Sequence, residues 1–410
     1  MPNPPKKRAP FSGNIPLLVL AAAALLLLIR KTDALTYPQF WAEDATVFFI
    51  EQYNQGPSAL FNPYAGYLHL VPRLVALFSD ALFPYYAAPY VYNYLSLALT
   101  LLVVLSVFSG RLDIGNKPLL ALAIVLVPHY NGEVFLNITN VQWVLALLLV
   151  ITLLKEEPRP EYGNVKAQAA LDFSAVIFCG LTGPFIVFLL PFFALRFHKK
   201  RSRYNAGILL AALAAAAVQI FFMATGQVTE EERTPDNLFI LASVIGRKFF
   251  GNLFLGNSLP YGLNPFMLTG AFALILLFIA YLAFWSETKR RFQITVFLGF
   301  MSAVLLATII KFKSNPLTLV PPDNGVRYSY LVYVMVAWSL IALMGQKVAW
   351  KGYIIKALLV AGLASSLVSG FRSEPFEDHY WAGWSRLIGE ETRIQIPINP
   401  DRHIEVIRKR

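Results

Sequence analysis

Apolar residues fall along this chain in blocks, not in alternation. Leu- and Ala-rich stretches approaching the roughly 20 residues of a bilayer-crossing helix occur at 15–33, 88–108, 118–130, 140–154, 169–182, 184–197, 205–225, 266–285, 292–311, 329–344 and 353–370. Only helices and closed barrels satisfy every backbone group in lipid, and barrel strands would alternate. The pattern therefore predicts an all-α polytopic membrane protein with about 11 transmembrane helices, within about 10–12. Blocks 118–130, 140–154, 169–182 and 184–197 are short for a full crossing. Such irregularity is tolerated only where protein or a water-filled cavity covers it.

The polar stretches between the blocks have patterns of their own. Segment 45–55 carries apolar residues at helical spacing and predicts a helix lying along the interface. Segment 72–83 predicts a second one. Pro72 suits its first turn. Leu70, Leu74, Leu77 and Ala81 form one stripe, and Arg73, Ala76 and Asp80 its neighbour. Past the last block the chain turns polar, with alternation in Thr392–Ile398 and His403–Ile407 that predicts short strands in a small capping segment. The organisation is then a transmembrane region, 1–370, whose first outer loop is 34–87, followed by a C-terminal segment, 371–410.

Charge refines this picture. The chain is 57% hydrophobic and 14% charged, against about 25% charged in soluble domains. A net charge of +11 would suggest nucleic acid in a soluble protein. Here the Lys and Arg residues crowd short loops and read as a topology signal, with no nucleic-acid partner. Lys6, Lys7 and Arg8, Arg111 and Lys117, Lys155 to Lys166, Arg196 to Arg203, Lys289 to Arg291, and Lys347 and Lys351 mark one face. Residues 34–87 hold a single basic residue, Arg73, and 131–140 hold none. The N-terminus is thus expected in the cytoplasm and, with an odd number of spans, the C-terminus outside. Lys6-Lys7-Arg8 before an apolar run resembles a signal peptide, but no small-residue cleavage site follows Ile29, so the run reads as an uncleaved first helix. The single cysteine, Cys179, excludes an intrachain disulfide.

Candidate chemistry concentrates just past the first span. Glu43 and Asp44 follow Phe40-Trp41. One carboxylate can act as general base on an acceptor hydroxyl; the other can position it or bind a divalent cation, Mg or Mn. The competing reading makes Asp44 the N-cap of the 45–55 helix and Glu43 a solvated loop residue. Arg73 could hold a phosphate or pair with Asp44, or it could snorkel from an interfacial helix. His69 is a substrate-binding candidate against a structural reading. The loop Pro128–Trp143 collects His129, Glu133, Asn131, Asn137, Asn140 and Gln142 without one Lys or Arg. Polar groups at membrane depth usually line a cavity, which makes Glu133 the second carboxylate site. Asn137-Ile138-Thr139 matches a glycosylation sequon but lies too close to the membrane to be used. Leu181-Thr182-Gly183-Pro184-Phe185 interrupts an apolar run as a kink or re-entrant tip. Arg247, Lys248 and Arg327 with Tyr328 are cations and a phenol able to meet a lipid phosphate, or plain interface anchors. The chain lacks a Walker loop, G-x-G-x-x-G, a His/Cys metal cluster and G-x-S-x-G.

In layout the chain resembles the GT-C superfamily of integral membrane glycosyltransferases, and more narrowly its bacterial, O-antigen-modifying glucosyltransferase-like members. The resemblance rests on the N-in first helix, the long first outer loop with Glu43-Asp44, and the patches Gly66–Arg73, Asn137–Trp143, Leu181–Phe185 and Gly325–Tyr328. It implies inverting transfer of a sugar from a polyprenyl-phosphate donor to a glycan, lipid-linked saccharide or protein acceptor on the outer face of a bacterial inner membrane. Asp44 or Glu43 would be the base. Arg73, Arg247, Lys248 or Arg327 would hold the phosphate. Glu-Asp departs from the family's Asp-x-Asp form, which bears on metal use. The rival reading, a transporter or flippase of a lipid-linked saccharide, would want mid-membrane charges or paired halves. Asp172 is the main acid within a span, and no halves repeat.

Overall fold

The computed structural model describes residues 14–226, 237–321, 324–344, 348–369 and 371–408. Lys6, Lys7, Arg8, Asp323 and Lys347 lie outside them.

Each of the eleven apolar blocks is helical: Ile15–Arg30, Ala88–Ser106, Lys117–Leu126, Val141–Leu154, Val165–Gly180, Phe185–Lys199, Arg203–Thr225, Pro265–Phe284, Thr288–Lys311, Arg327–Ala342 and Ala349–Val368. Helicity alone does not make each block a crossing. Among the described residues, five helical stretches are long and apolar enough to span a bilayer: Tyr85–Ser106, Arg203–Thr225, Pro265–Phe284, Thr288–Lys311 and Ala349–Val368. The protein is a mostly helical, integral membrane protein.

Burial explains the short helices. At 1.5 Å per residue, Val141–Leu154 is only about 21 Å long, against a hydrocarbon core of about 30 Å. Every one of its residues is buried in protein, so none of it has to meet lipid. Arg327–Ala342 is likewise buried at every position except Arg327 and Ala337. The long helices surround this pair and turn bare apolar side chains outward. Ala349–Val368 buries only Ile355, Ser365 and Ser366.

The bundle has two distinct ends. At one, Asp172 accepts from Arg111 (2.5 Å), Tyr204 (2.6 Å) and Lys155 (3.4 Å), while Lys289 pairs with Asp113 (2.6 Å) and Glu156 (2.5 Å). At the other, the first loop and the C-terminal segment share one apolar cluster. Strands Arg393–Ile398 and Arg402–Ile407 pair antiparallel with Ile396 opposite Ile404. Their buried isoleucines pack with Phe40, Phe48, Phe49 and Trp381. Trp381 stands edge-on to Phe40 at 4.6 Å and to Phe49 at 5.3 Å.

The two interfacial stretches are helical, with one difference. The second is a regular helix, Leu70–Leu82. The first opens as a π-helical turn, Asp44–Phe49, before continuing as Ile50–Gln55. A second π-helical segment, Ser243–Gly251, carries Arg247 and Lys248. Widened turns of this kind are frequent at functional sites.

Candidate active site

The chain enters the acid pair through a strained residue. Ala42 has φ of 33°, a left-handed conformation unfavourable for a residue with a Cβ. Its N–H donates to the Asn399 carbonyl at 2.6 Å, so the C-terminal segment holds the turn in place.

Asp44 has no exposed surface. It does not cap the helix; that position belongs to Glu43, which makes no side-chain cap bond. The Asp44 carboxylate instead reaches the 128–143 loop and accepts from Thr139 N–H (2.8 Å), Thr139 Oγ1 (2.5 Å) and Ile138 N–H (3.3 Å). All three donors are neutral. Burial pushes its carboxyl up to about 7, the hydrogen bonds pull it down in part, and the Glu43 charge adds to the rise. Leu136, close to these donors, is a second left-handed non-glycine residue, with φ of 59°.

Glu43 is the more reachable partner, with a side chain 17% exposed. It accepts from Arg402 Nη1 at 3.2 Å. It also meets the Tyr64 phenol, which burial and Glu43 together push upward. Arg327 lies within the field of both Glu43 and Tyr64. Its guanidinium pairs with Glu133, its N–H donates to Glu133 Oε2 at 3.2 Å, and it stands 5.0 Å from the Tyr328 ring. Lys311 donates to Tyr328 OH at 2.9 Å. Five of the residues singled out in the sequence, Glu43, Asp44, Glu133, Arg327 and Tyr328, thus converge from three segments.

His69 borders this cluster. It is fully buried and stacks on Tyr67 at 4.7 Å. Burial, then Arg73, pulls its imidazole down to about 3, so the ring is neutral; the Tyr64 backbone favours protonation slightly but lies outside hydrogen-bond geometry, leaving both ring nitrogens without a partner. The Leu181–Phe185 break docks beside it. Gly183 N–H donates to Leu68 O at 3.0 Å, and Gly183, with φ of 90°, leaves no room for a Cβ, which would fall 2.3 Å from Gln142 Oε1.

Three sequence candidates have other partners. Arg73 pairs with Glu51 at 2.9 Å, not with Asp44, and packs on Phe48, stitching the two loop helices together. Arg247 donates to Leu263 O at 3.0 Å beside Phe239 and Tyr261. Lys248 is buried and donates to the carbonyls of Pro321 (3.0 Å) and Asn324. Asn137 is buried and donates to the Glu133 and Phe135 carbonyls, which closes it to glycosylation.

Sequence reasoning missed Thr139, Arg402, Tyr64, Lys311 and Lys31. Lys31, buried just past the first helix, lies 3.6 Å from the Phe376 ring centre and 5.4 Å from that of Trp41. Only Thr139 left a signal, as part of the basic-free polar loop.

A divalent cation does not fit this donor set. Both Asp44 oxygens accept from protein donors and Glu43 faces Arg402. Among the described residues no three His, Cys, Asp or Glu side chains are placed to hold one metal ion. Comparison of the chain with protein-family models, curated proteins and solved structures found no match.

Proposed function

We propose that the protein is a membrane glycosyltransferase of the GT-C type, moving a sugar from a polyprenyl-phosphate donor to a hydroxyl of a glycan, lipid-linked saccharide or protein. In this reading the Glu43 face meets the outside of a bacterial inner membrane, the N-terminus is cytoplasmic and the C-terminal segment lies outside. The short buried helices complete up to about eleven crossings. The observation that carries the proposal is the adjacent acid pair. One carboxylate is sealed on neutral donors, and the other is accessible beside Tyr64, Arg402 and the Arg327 guanidinium.

The roles follow from access. A substrate hydroxyl can reach Glu43, whereas Asp44 is closed off by Ile138 and Thr139, so Glu43 is the base and Asp44 a positioning residue. Glu43 takes the acceptor's proton, and the freed oxygen attacks the anomeric carbon from the face opposite the phosphate. The bond from that carbon to the phosphate oxygen breaks, its electron pair leaves with the polyprenyl phosphate, and the anomeric configuration inverts. Arg327 is the cation placed to neutralise the departing phosphate, a stabilisation that grows in the transition state. Tyr328 and Lys311 support it.

The test uses the full chain in lipid nanodiscs with polyprenyl-phosphate hexoses, reading release of free polyprenyl phosphate with an added saccharide acceptor. Release by the native chain and its loss in Glu43→Gln are expected. Release that survives Glu43→Gln would exclude Glu43 as base. Movement of intact lipid-linked saccharide across proteoliposomes, without release, would establish the transporter reading.

A further inference from the structure

Away from the Glu43 cluster the structure contains an apolar cavity of about 380 Å³. It lies between helices Lys117–Leu126, Arg327–Ala342 and Ala349–Val368, with Leu253 and Phe254 at one end. Pockets of a few hundred Å³ accommodate ligands of substantial size. It is a groove rather than a closed void, since Leu119, Val360 and Leu363 on its lining are exposed, so a lipid chain can enter it from the bilayer.

Its lining is asymmetric. On the last helix the lining runs from Lys356 to Leu363, and Lys356 is the one charged residue among the lining side chains. Lys356, Leu359, Val360 and Leu363 fall at helical spacing on one stripe, and Val360 is 65% exposed. Helix Arg327–Ala342 begins at the Glu43 cluster, and its lining residues start only at Val336 and continue to Met344. The lysine therefore marks the end facing away from the acid pair. At the near end the Arg30 Nη atoms are taken up by the carbonyls of Val125, Val127 and His129, and Tyr130 OH donates to Asn252 O. Among the described residues, the cation lining the groove is thus at the far mouth, on the end of the bundle that carries Lys155, Arg196, Lys200 and Lys289.

We infer that this groove holds an acyl chain of an anionic phospholipid whose phosphate pairs with Lys356. The occupant is set by charge complementarity: a single cation at the mouth of an otherwise apolar slot matches an amphiphile with an anionic head and a hydrocarbon tail. A zwitterionic lipid would present its own cation to the same lysine. The site is independent of the transfer reaction, since a donor lipid has to place its phosphate at the opposite end.

Native mass spectrometry of the full detergent-purified chain tests this, after incubation with phosphatidylglycerol or phosphatidylcholine of identical chains. Wild type is expected to retain phosphatidylglycerol several-fold better. Lys356→Met should erase the headgroup preference while chain retention persists. Val360→Trp, at an exposed position that spares the core, should fill the slot and lower retention of both lipids. Circular dichroism melts of both variants check the fold. Equal retention of the two lipids by wild type, or an unchanged preference in Lys356→Met, overturns the proposal. So does displacement of phosphatidylglycerol by equimolar polyprenyl phosphate, which would give the groove to the donor.

Discussion

Asp44 and Asp172 are both sealed from solvent, and the protein treats them in opposite ways. Asp172 sits among cations: Arg111 and Lys155 pair with it and the Tyr204 phenol donates to it. Asp44 accepts hydrogen bonds only from a threonine hydroxyl and two backbone N–H groups, with another carboxylate next to it in sequence and the buried Lys31 ammonium within its field but not paired with it. A buried charge compensated by cations pins helices together. A buried carboxyl held on neutral donors is instead raised toward neutrality by its burial. Composition alone would rank the two acids equally; their partners tell them apart.

The largest effect that could break this contrast belongs to the pair's accessible member. Glu43→Gln is expected to lower polyprenyl-phosphate release by about 10²–10⁴-fold, the range for loss of a general base, with the melting temperature nearly unchanged. Loss of stability in step with activity would instead make Glu43 structural. Asp172→Ala should do the reverse. Removing one member of a buried ion pair leaves Arg111 and Lys155 uncompensated, at about 3–5 kcal/mol. The expected readout is a large drop in melting temperature in detergent, with surviving folded protein still active.

The parts of this comparison were unequally legible in the sequence. The helices were plain, because blocks such as Leu17–Ile29 leave no alternative in lipid, and the strands of the tail followed from Thr392–Ile398 alternation. The number of crossings was not, because a 14-residue helix such as Val141–Leu154 reads as a short span until its full burial is known. Glu43, Asp44 and Glu133 stood out as acids where basic residues are scarce. Their partners did not: Thr139 lies 95 positions from Asp44, and Arg402 lies 359 from Glu43. The partner of Arg73 was hidden for a related reason: as the lone Lys or Arg in its loop it was left open to a phosphate, to Asp44 or to snorkelling, whereas helix packing gives it Glu51. The π-helical turn at Asp44–Phe49 also has no simple sequence signature, and it begins at Asp44 itself, which leaves the cap position to Glu43.

The pH dependence of stability sharpens the contrast further. Asp44 is raised from 3.8 to about 7 in the folded state. The folded protein therefore binds a proton that the unfolded chain releases, and this contribution is fully present below about 3.8. It declines as pH rises through about 7 and is absent above, a span of up to about 4 kcal/mol. Melting temperatures of wild type between pH 5 and 8 should fall with rising pH. Asp44→Asn, which cannot ionise, should flatten that slope. An unchanged slope would mean that Asp44 is charged throughout, and the distinction from Asp172 would collapse.

The smallest effect isolates one donor. Thr139→Val keeps the shape of the side chain and both backbone N–H bonds to Asp44 but deletes the 2.5 Å hydroxyl contact. That hydroxyl favours the charged carboxylate, so its loss should move the Asp44 transition to higher pH. The loss should be about 1–2 kcal/mol at pH 8, where a charged acceptor loses its donor, and less at pH 5, where Asp44 is already protonated. A penalty equal at both pH values would assign Thr139 to packing alone. A penalty that grows with pH would tie the hydroxyl to the charge on Asp44, which is the property separating this carboxylate from its compensated counterpart at the other end of the bundle.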